Sequence, residues 1–553
     1  MISSLPPLPP TSATHEVDNQ ATPLAHYDVA EDAALLEGLE REGAGWYAGS
    51  LHDLGRRAGT PEWLRRGDDA NAYPPRLVTH DRYGHRVDEV EFHPAWHALM
   101  DVAVREGMAG SLAWSGQPGA HVARAAAFAV WSQVEGGHAC PISMTYAAVP
   151  ALRTTPQVGN ELIPLLTSGW YEPELAPLSV KRGALCGMGM TEKQGGSDVR
   201  ANTTTATPVG AGAYVLRGHK WFTSAPMCDA FLFLAQAPGG LSCFAVPRVL
   251  PDGTRNRLYL QRLKDKLGNR SNASSEIELT DALGVLVGEE GRGVRTILSM
   301  VGLTRLDCVI GSTSLQRIAL ANALHHTRHR AAFGRTLVDQ PLMRSVLADL
   351  ALESEAATAL MLRLAGAVDR GEAGDERERA FTRIATAIGK YWVCKRTPTA
   401  VGEALECLGG NGYVEESRMP RYYREAPLLS IWEGSGNVNA LDVLRAMSRS
   451  PETVGVLRDE LALAAGTSPA YDEALRRLDK ELTDLDGLEA RARGLVERTA
   501  LLLQASVLLR HSPLGEAFVA ARLGPDVSLG YGGLPRGVDV DGIIARASTG
   551  LPD

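Results

Sequence analysis

Glu433 stands beside an indole in the run Trp432-Glu433-Gly434-Ser435. A carboxylate enclosed near an apolar site has a raised pKa and can act as a general base. The same residue could instead be a structural carboxylate paired with Arg424 or Arg445. Far upstream, Gly187 to Asp198 reads GMGMTEKQGGSD. A glycine-rich loop of this kind brings main-chain N–H groups to an anionic cofactor edge, and Thr191 and Ser197 add hydroxyls. Taken alone it reads more readily as an ordinary surface loop. Trp221-Phe222-Thr223 offers an indole able to cover a planar ring and, two positions on, a hydroxyl facing the same side of a strand. A core tryptophan followed by a surface threonine is the plainer reading.

Other chemistries find less support. His93 and His97 are four apart, but Pro94 limits the helix before it and no acid completes a ligand set, so no metal is expected. There is no Walker loop, zinc-deaminase signature or glycosylase constellation.

The elements that must hold these residues follow from periodicity. Residues 1–27, which include PPLPP, read as a flexible arm that orders only on a partner surface. Residues 28–182 read as a helical domain, with helices over Ala98 to Ala109 and Val122 to Val134. The period then changes. AYVLRGHKWFTSA, AFLFLAQA, LSCFAVPR and SEIELTDALGVLVG are strand-like runs divided by turn residues, giving a middle β-domain over 183–292. Helical spacing returns over 293–450, where Met343, Val346, Leu350, Ala357, Leu360 and Leu364 trace one face, and a second long helix runs from Phe381 to Cys407. A further helical region, 451–553, carries a stripe of Leu482, Leu485, Leu488, Ala492 and Leu495, read as packing surface.

Composition narrows the function. The formal net charge is −9, so no global positive field draws the chain to nucleic acid or anionic membrane. The seven cysteines form no CxxC or ligand cluster, which fits a reducing compartment. Neither a leader nor an apolar run long enough to span a membrane is visible, and a cytoplasmic location is expected.

The motifs MTEKQGGSD, HKWFTSA, RAAFG, LGGNGY and YREAPLLSIWEGSGN, in that order, resemble those of the acyl-CoA dehydrogenase family. The resemblance implies an α+β multidomain chain: a helical domain, a β-barrel-like middle domain, a helical bundle and, here, a C-terminal helical extension, assembled as a homotetramer around FAD. It implies that Met190, Thr191, Ser197, Trp221, Thr223, Ser435 and Asn437 contact the flavin cofactor. Arg330 and Phe333 would reach it from a neighbouring subunit, Gln340 would take the family's downstream glutamine role at the cofactor, and Gly409, Gly410 and Gly412 would cradle its adenosine diphosphate. Glu406 stands where the family commonly has Gln, an acid beside a diphosphate. Glu433 takes the position of the carboxylate that removes the α-proton of a thioester while hydride leaves the β-carbon.

A narrower likeness rests on REGAGW at 41–46, AYPPRL, EFHPAWHALM, GGLSCFAVPR and RLKDKLGNRSNASSE. These resemble the bacterial alkylation-response flavoproteins of the same family. That branch implies double-stranded DNA binding and protection against alkylation damage in the adaptive response, with weak activity toward short or branched acyl-CoA. The basic residues of the tail, Arg476, Arg477 and Lys480, then Arg491, Arg493 and Arg498, then Arg510, are the candidate phosphate contacts or else solvated helix faces. Residues 451–553 as a whole carry eleven Arg+Lys against sixteen Asp+Glu. The expectation is an FAD-binding, DNA-associated protective protein. The alternatives are an ordinary acyl-CoA dehydrogenase, a DNA-binding scaffold with structural FAD, and, more remotely, a direct dealkylating enzyme.

Overall fold

The computed structural model describes residues 4–5, 14–210, 212–484 and 486–552. Its first part is helical: α1 Ala33–Arg41, α2 Ala48–Ala58, α3 Pro61–Ala72, α4 Pro94–Arg105, α5 Ala120–Ser132, α6 Ala139–Arg153 and α7 Pro156–Leu166. Local signals set the starts. Asp32 caps α1 by accepting from the Leu35 N–H, and Thr60 and His93 cap α3 and α4 just ahead of Pro61 and Pro94. Helix α5 is apolar on all sides except His121, Arg124 and Ser132, and every residue of it is buried, as expected of a core helix. Sequence reading missed a hairpin in this helical region, β1 Arg76–His80 with β2 Arg86–Glu91.

The expectation of a barrel-like middle domain is corrected. The strands β3 Cys186–Gly189, β4 Thr205–Gly210, β5 Ala213–Ser224, β6 Ala230–Ala237, β7 Gly240–Pro247, β8 Leu258–Leu263 and β9 Ser274–Val287 form one seven-stranded mixed sheet in the order β3-β6-β4-β5-β9-β7. Strand β8 branches from β9, and β6 also pairs with β7. No continuous ladder closes this sheet: β4 meets β6 at the single pair Thr205–Gln236, and β3 and β8 have one neighbour each and stay edges. Four of the strands follow the alternating runs read from sequence. Strands β3, β4 and β8, of four to six residues, are too short to be read that way.

Three long helices follow, α8 Gly293–His329, α9 Pro341–Glu372 and α10 Glu376–Cys407, packed on one another. Between α8 and α9 lies a two-stranded hairpin, β10 Ala331–Ala332 and β11 Arg335–Thr336. After α10 come α11 Met419–Leu429 and α12 Gly436–Arg449, then α13 Glu452–Ala462, α14 Pro469–Thr483, α15 Leu488–His511, α16 Gly515–Arg522 and α17 Val540–Ala547. Among the described residues no helix is long and apolar enough to cross a membrane.

Two further expectations change. The tail's leucine stripe is not one helix: Leu482 ends on α14 while Leu488, Ala492 and Leu495 open α15, and Leu485 lies outside the described residues. The part of the N-terminal arm within the described residues docks on its own chain. Leu24 and Tyr27 are buried in the core, the Asn19 amide donates to the Ala331 carbonyl at 2.9 Å, and the Thr22 carbonyl meets His325 Nε2 at 2.9 Å.

Candidate functional site

Strand β3 leads into the loop that carries Met190, Thr191 and Ser197. Its two glycines serve packing: a Cβ on Gly187 or Gly189 would lie 2.5 or 2.6 Å from the ring of Phe231 or Phe233 on the neighbouring β6. The loop proper is closed by Gly196, where a Cβ would fall 2.4 Å from Thr191 Oγ1. Its pin is Glu192, which sequence reading passed over as a charged turn residue. The Glu192 carboxylate is fully buried and accepts from Lys220 Nζ at 2.7 Å, from the Thr203 and Thr204 N–H groups at 2.7 and 3.2 Å, and from Gln194 Nε2 at 2.8 Å. Burial alone would raise its pKa. The Lys220 charge and hydrogen bond, with those from Thr204 and Thr203, overcome that and hold it at about 2.

Residues 221–223 run at the end of β5 beside this loop, the Trp221 N–H donating to the Thr191 carbonyl at 2.9 Å. The ladder with β9 slips between Lys220 and Thr223, so the alternation that would place Trp221 and Thr223 on one side is interrupted by a bulge. Lys264 Nζ stands 3.4 Å from the centre of the indole, an unforeseen cation contact. Thr223 is fully buried, not a surface residue, and its Oγ1 has no partner in the protein. A buried hydroxyl is seldom left unpaired, so a ligand atom at this face fits the site. Met190 and Thr191 are half-buried here, and Ser197 is exposed.

Glu433 lies in the turn between α11 and α12, in the left-handed conformation with φ +57°. Such a conformation costs a non-glycine residue about 1–3 kcal/mol and persists where its surroundings over-determine it. Here three helices do so. Arg305 Nε, from α8, donates to the Glu433 carbonyl at 3.0 Å; Lys390 Nζ, from α10, donates to the Gly434 carbonyl at 2.5 Å; and Asn439 Nδ2, from α12, donates to the same carbonyl at 2.6 Å. Arg305 is itself fixed by Asp442 at 2.6 Å, which also pairs with Arg383. The Glu433 side chain is not paired with either arginine suggested by sequence: Arg424 is engaged by Glu415 at 2.6 and 3.0 Å, and no ion pair joins Glu433 to Arg445 among the described residues. Its Oε2 accepts one hydrogen bond, from Thr304 Oγ1 at 2.7 Å. Burial holds the carboxyl above its ordinary range, against the opposing pull of the Thr304 hydroxyl and the Lys390 and Arg305 charges.

Cys140, at the start of α6, connects these two parts. Burial pushes its thiol up to about 11; a hydrogen bond with Ser224, the neighbour of Thr223, and the charge of Lys266 oppose this, and Glu433 adds to it. Ser224 at the end of β5 and the turn bearing Glu433 thus both lie near Cys140. Ser435 and Asn437 are exposed at the start of α12, two and four residues past the carboxylate.

Arg330, Phe333 and Gln340 are brought together elsewhere. Phe333 forms the tip of the β10–β11 hairpin with φ +51° and is 98% exposed, while Arg330 and Gln340 flank the hairpin, Gln340 Nε2 donating to the Ala332 carbonyl at 2.9 Å. Arg330 ends α8, 26 residues beyond Thr304, which at 1.5 Å per residue is about 39 Å along one helix. Gly409, Gly410 and Gly412 form a short 3₁₀ turn after α10; the first two are open to solvent, and a Cβ on Gly412 would overlap the Leu405 carbonyl at 2.2 Å. Glu406 is exposed on the last turn of α10.

The tail cations are mostly paired. Arg476 and Arg477 both hold Glu473, Arg491 holds Asp484, Arg498 holds Glu481, and Arg510 turns inward to Glu460 at 2.8 Å. Lys480 is exposed, and Arg493 meets the Tyr391 hydroxyl. The histidines weighed as ligands are otherwise used: His93 caps α4, and His97 shares a 2.8 Å hydrogen bond with the Tyr171 hydroxyl.

Comparison with known proteins follows this division of the chain. Residues 19–173 match the model described as the adaptive response protein AidB N-terminal domain, 187–282 the acyl-CoA dehydrogenase middle domain, and 291–448 the acyl-CoA dehydrogenase C-terminal domain. The chain is 50% identical over 473 residues, 85% of its length and 87% of the relative's, to the putative acyl-CoA dehydrogenase AidB of Escherichia coli. It is 30% identical over 497 residues, 86% of its length and 78% of the relative's, to acyl-CoA dehydrogenase family member 11 of Caenorhabditis elegans. Among solved structures, Caenorhabditis elegans ACDH-11 in complex with C11-CoA superposes with a TM-score of 0.84 at 27% identity, covering 98% of this chain and 94% of that one.

Proposed function

Because this chain belongs to the acyl-CoA dehydrogenase family, in its AidB branch, we propose that it is an FAD-dependent acyl-CoA dehydrogenase in which Glu433 removes the α-proton of a thioester. The observation that carries this reading is the Glu433 carboxyl itself: conformationally fixed by three helices, held by a single hydrogen bond from Thr304, and raised in pKa by burial. A base needs a free lone pair and a proton affinity closer to neutrality than an exposed carboxylate has. The unpartnered Thr223 hydroxyl and the Trp221 indole support a planar ring on the far side of the substrate.

In this reading Thr191, Met190 and Ser197 flank the cofactor, Trp221 and Thr223 face its ring, and Ser435 and Asn437 meet it from the start of α12. FAD, when bound, supplies the acceptor for the hydride that leaves the β-carbon. The chain's own residues do the rest. Thr304 orients Oε2 and favours the charged form of Glu433. Arg305 and Lys390, by holding the Glu433 and Gly434 carbonyls, keep the turn from relaxing, so the carboxylate meets the α-carbon without prior reorganisation. Arg330 and Phe333 lie too far along α8 to reach a ring held beside Glu433 of the same chain. They serve a cofactor bound by another copy, with Gln340 bracing the hairpin and Gly409, Gly410 and Gly412 shaping the diphosphate end, and the working form is a homotetramer.

The test is anaerobic absorbance of the purified flavoprotein titrated with acyl-CoA thioesters of different length and branching. Bleaching by a defined thioester is the expected result; a flavin that no thioester bleaches overturns the dehydrogenase reading. A second reading, protection of double-stranded DNA from alkylation, is favoured by the match of residues 19–173 to an adaptive response protein. It requires duplex binding that weakens steeply with salt.

A further inference from the structure

Of the tail's candidate phosphate contacts, Arg476, Arg477, Arg491, Arg498 and Arg510 are engaged by carboxylates. Arg493 is not. Among the described residues it forms no ion pair. Its Nε donates to the Tyr391 hydroxyl at 3.2 Å, and its guanidinium carbon lies 6.0 Å from the centre of that ring. Glu497, one turn further along α15, attracts it through space without pairing.

The place Arg493 occupies is occupied by other positive groups. Lys395 follows Tyr391 by one turn of α10, is exposed, and likewise forms no ion pair among the described residues. Burial, Arg493 and Lys390 each lower its proton affinity, as expected where cations crowd one another. Both α10 side chains abut α12: a Cβ on Gly436 would sit 3.5 Å from Lys395 Nζ and 3.5 Å from the Tyr391 ring. Gly436 lies between Ser435 and Asn437, and the Ser435 side chain makes no capping hydrogen bond to α12. Two cations from different elements thus converge, with no carboxylate ion-paired to either among the described residues, on the turn that the flavin reading assigns to the cofactor. A phosphate ester matches this chemistry, since a guanidinium and an ammonium both bind it through charge-assisted hydrogen bonds.

We propose that Arg493 and Lys395 form a phosphate site beside the start of α12, and that the phosphate is the cofactor's diphosphate, so that the C-terminal segment takes part in holding FAD. The inference rests on the flavin reading above and extends it to a helix beyond the three matched models. It also moves Arg493 from the DNA-contact set to the cofactor. The other available source of the same chemistry is the backbone of duplex DNA.

The experiment compares full-length wild type with R493M, R493K, K395M and, as a control for a paired tail arginine, R498M. Each is stripped of flavin and titrated with FAD and with riboflavin, which lacks phosphate, using flavin fluorescence; duplex DNA is titrated separately at fixed salt. R493M and K395M should weaken FAD about ten- to hundredfold, the range for a lost charged hydrogen bond. Riboflavin affinity and melting temperature should stay as in wild type, R493K should recover part of the loss, and R498M should bind FAD normally. If FAD affinity is unmoved in both R493M and K395M while wild type still takes up FAD, the proposal falls. It also falls if the variants lose duplex binding alone, since the phosphate is then DNA's. Equal loss of riboflavin would mean a collapsed site and overturn it too. A wild-type chain that takes up neither flavin overturns the flavin reading itself.

Discussion

Replacing Lys220 by Met should unseat the flavin-side loop without touching any residue that faces the substrate. Lys220 and Glu192 are both fully buried, 2.7 Å apart, and Lys220 Nζ also donates to the Leu234 carbonyl at 2.7 Å. Removing one member of a buried pair leaves an uncompensated charge and costs about 3–5 kcal/mol. For a cooperative unit of about 100 residues each kcal/mol is worth roughly 4–8 °C, so the transition of the middle region should fall by more than about 10 °C. The pair also sets a pH limit. Glu192 is held at about 2 against an ordinary 4.5, so its contribution is fully present above 4.5 and is lost as pH falls toward 2. K220M should erode this acid-side dependence. The assay is differential scanning calorimetry from pH 7 to pH 3 together with flavin content after gel filtration. K220M/E192Q should regain much of the loss, because a neutral amide can still accept from the Thr203 and Thr204 N–H groups without stranding a charge. A K220M chain that melts like wild type and keeps its flavin would refute the role of Glu192 as the pin of this loop.

E433Q should retain flavin and lose substrate-dependent bleaching by about 10²- to 10⁴-fold, the usual contribution of a general base; bleaching at the wild-type rate removes Glu433 from that role. Because burial raises the Glu433 pKa, the bleaching rate should fall as pH drops through a value above the ordinary carboxylate range, and T304V, lacking the hydroxyl that favours the charged form, should move this limb to higher pH. A pH profile that does not move in T304V rules out the coupling. R330A and F333A should lower flavin retention while bleaching chemistry persists in the molecules that remain loaded; unchanged retention takes the hairpin off the cofactor site. Truncation after Ser450 should give an aggregating chain instead of a smaller active enzyme, and a soluble, flavin-loaded product would show that the tail is dispensable.

How much of this was legible in the residues depends on the range of the interactions involved. Long helices such as α9 and α10 follow from apolar spacing, whereas the alternation expected between Trp221 and Thr223 is interrupted by a bulge against β9. The position of Glu433 was readable, but its surroundings were not: Thr304, Arg305 and Lys390 reach it from α8 and α10, and nothing in their own sequence neighbourhoods marks them. The same holds for Glu192, whose partner lies 28 residues away on a strand. The barrel expected of the middle domain came from the family resemblance; strand-like runs give strands and not their closure, and here β4 and β6 meet only at the pair Thr205–Gln236. The GMG glycines looked like a phosphate loop, and their reason is the flat edges of Phe231 and Phe233 on the next strand.

The tail illustrates how a charge count misleads when the partners are unseen. Arg522 is engaged by Asp349 and Glu353, both on α9, and Arg546 by Glu355 of α9 and Glu37 of α1. Arg363 of α9 is clamped between Glu378 of α10 and Glu460 of α13, and Glu460 also takes Arg510. Buried pairs of this kind are weak evidence for net stability, because desolvation offsets attraction. They do make separation costly, since removing the tail strands Asp349 and Glu355 and leaves Glu353 with Arg396 alone. Residues 451–552 are therefore keyed into the long-helix bundle through Arg522 and Arg546, while Arg458, Arg476, Arg477, Arg491, Arg498 and Arg510 pair with carboxylates of the segment itself. Any recognition of an external phosphate by this segment has to come from the few cations left over, and of these Arg493 is the one that stands beside a second unpaired cation and the start of a helix.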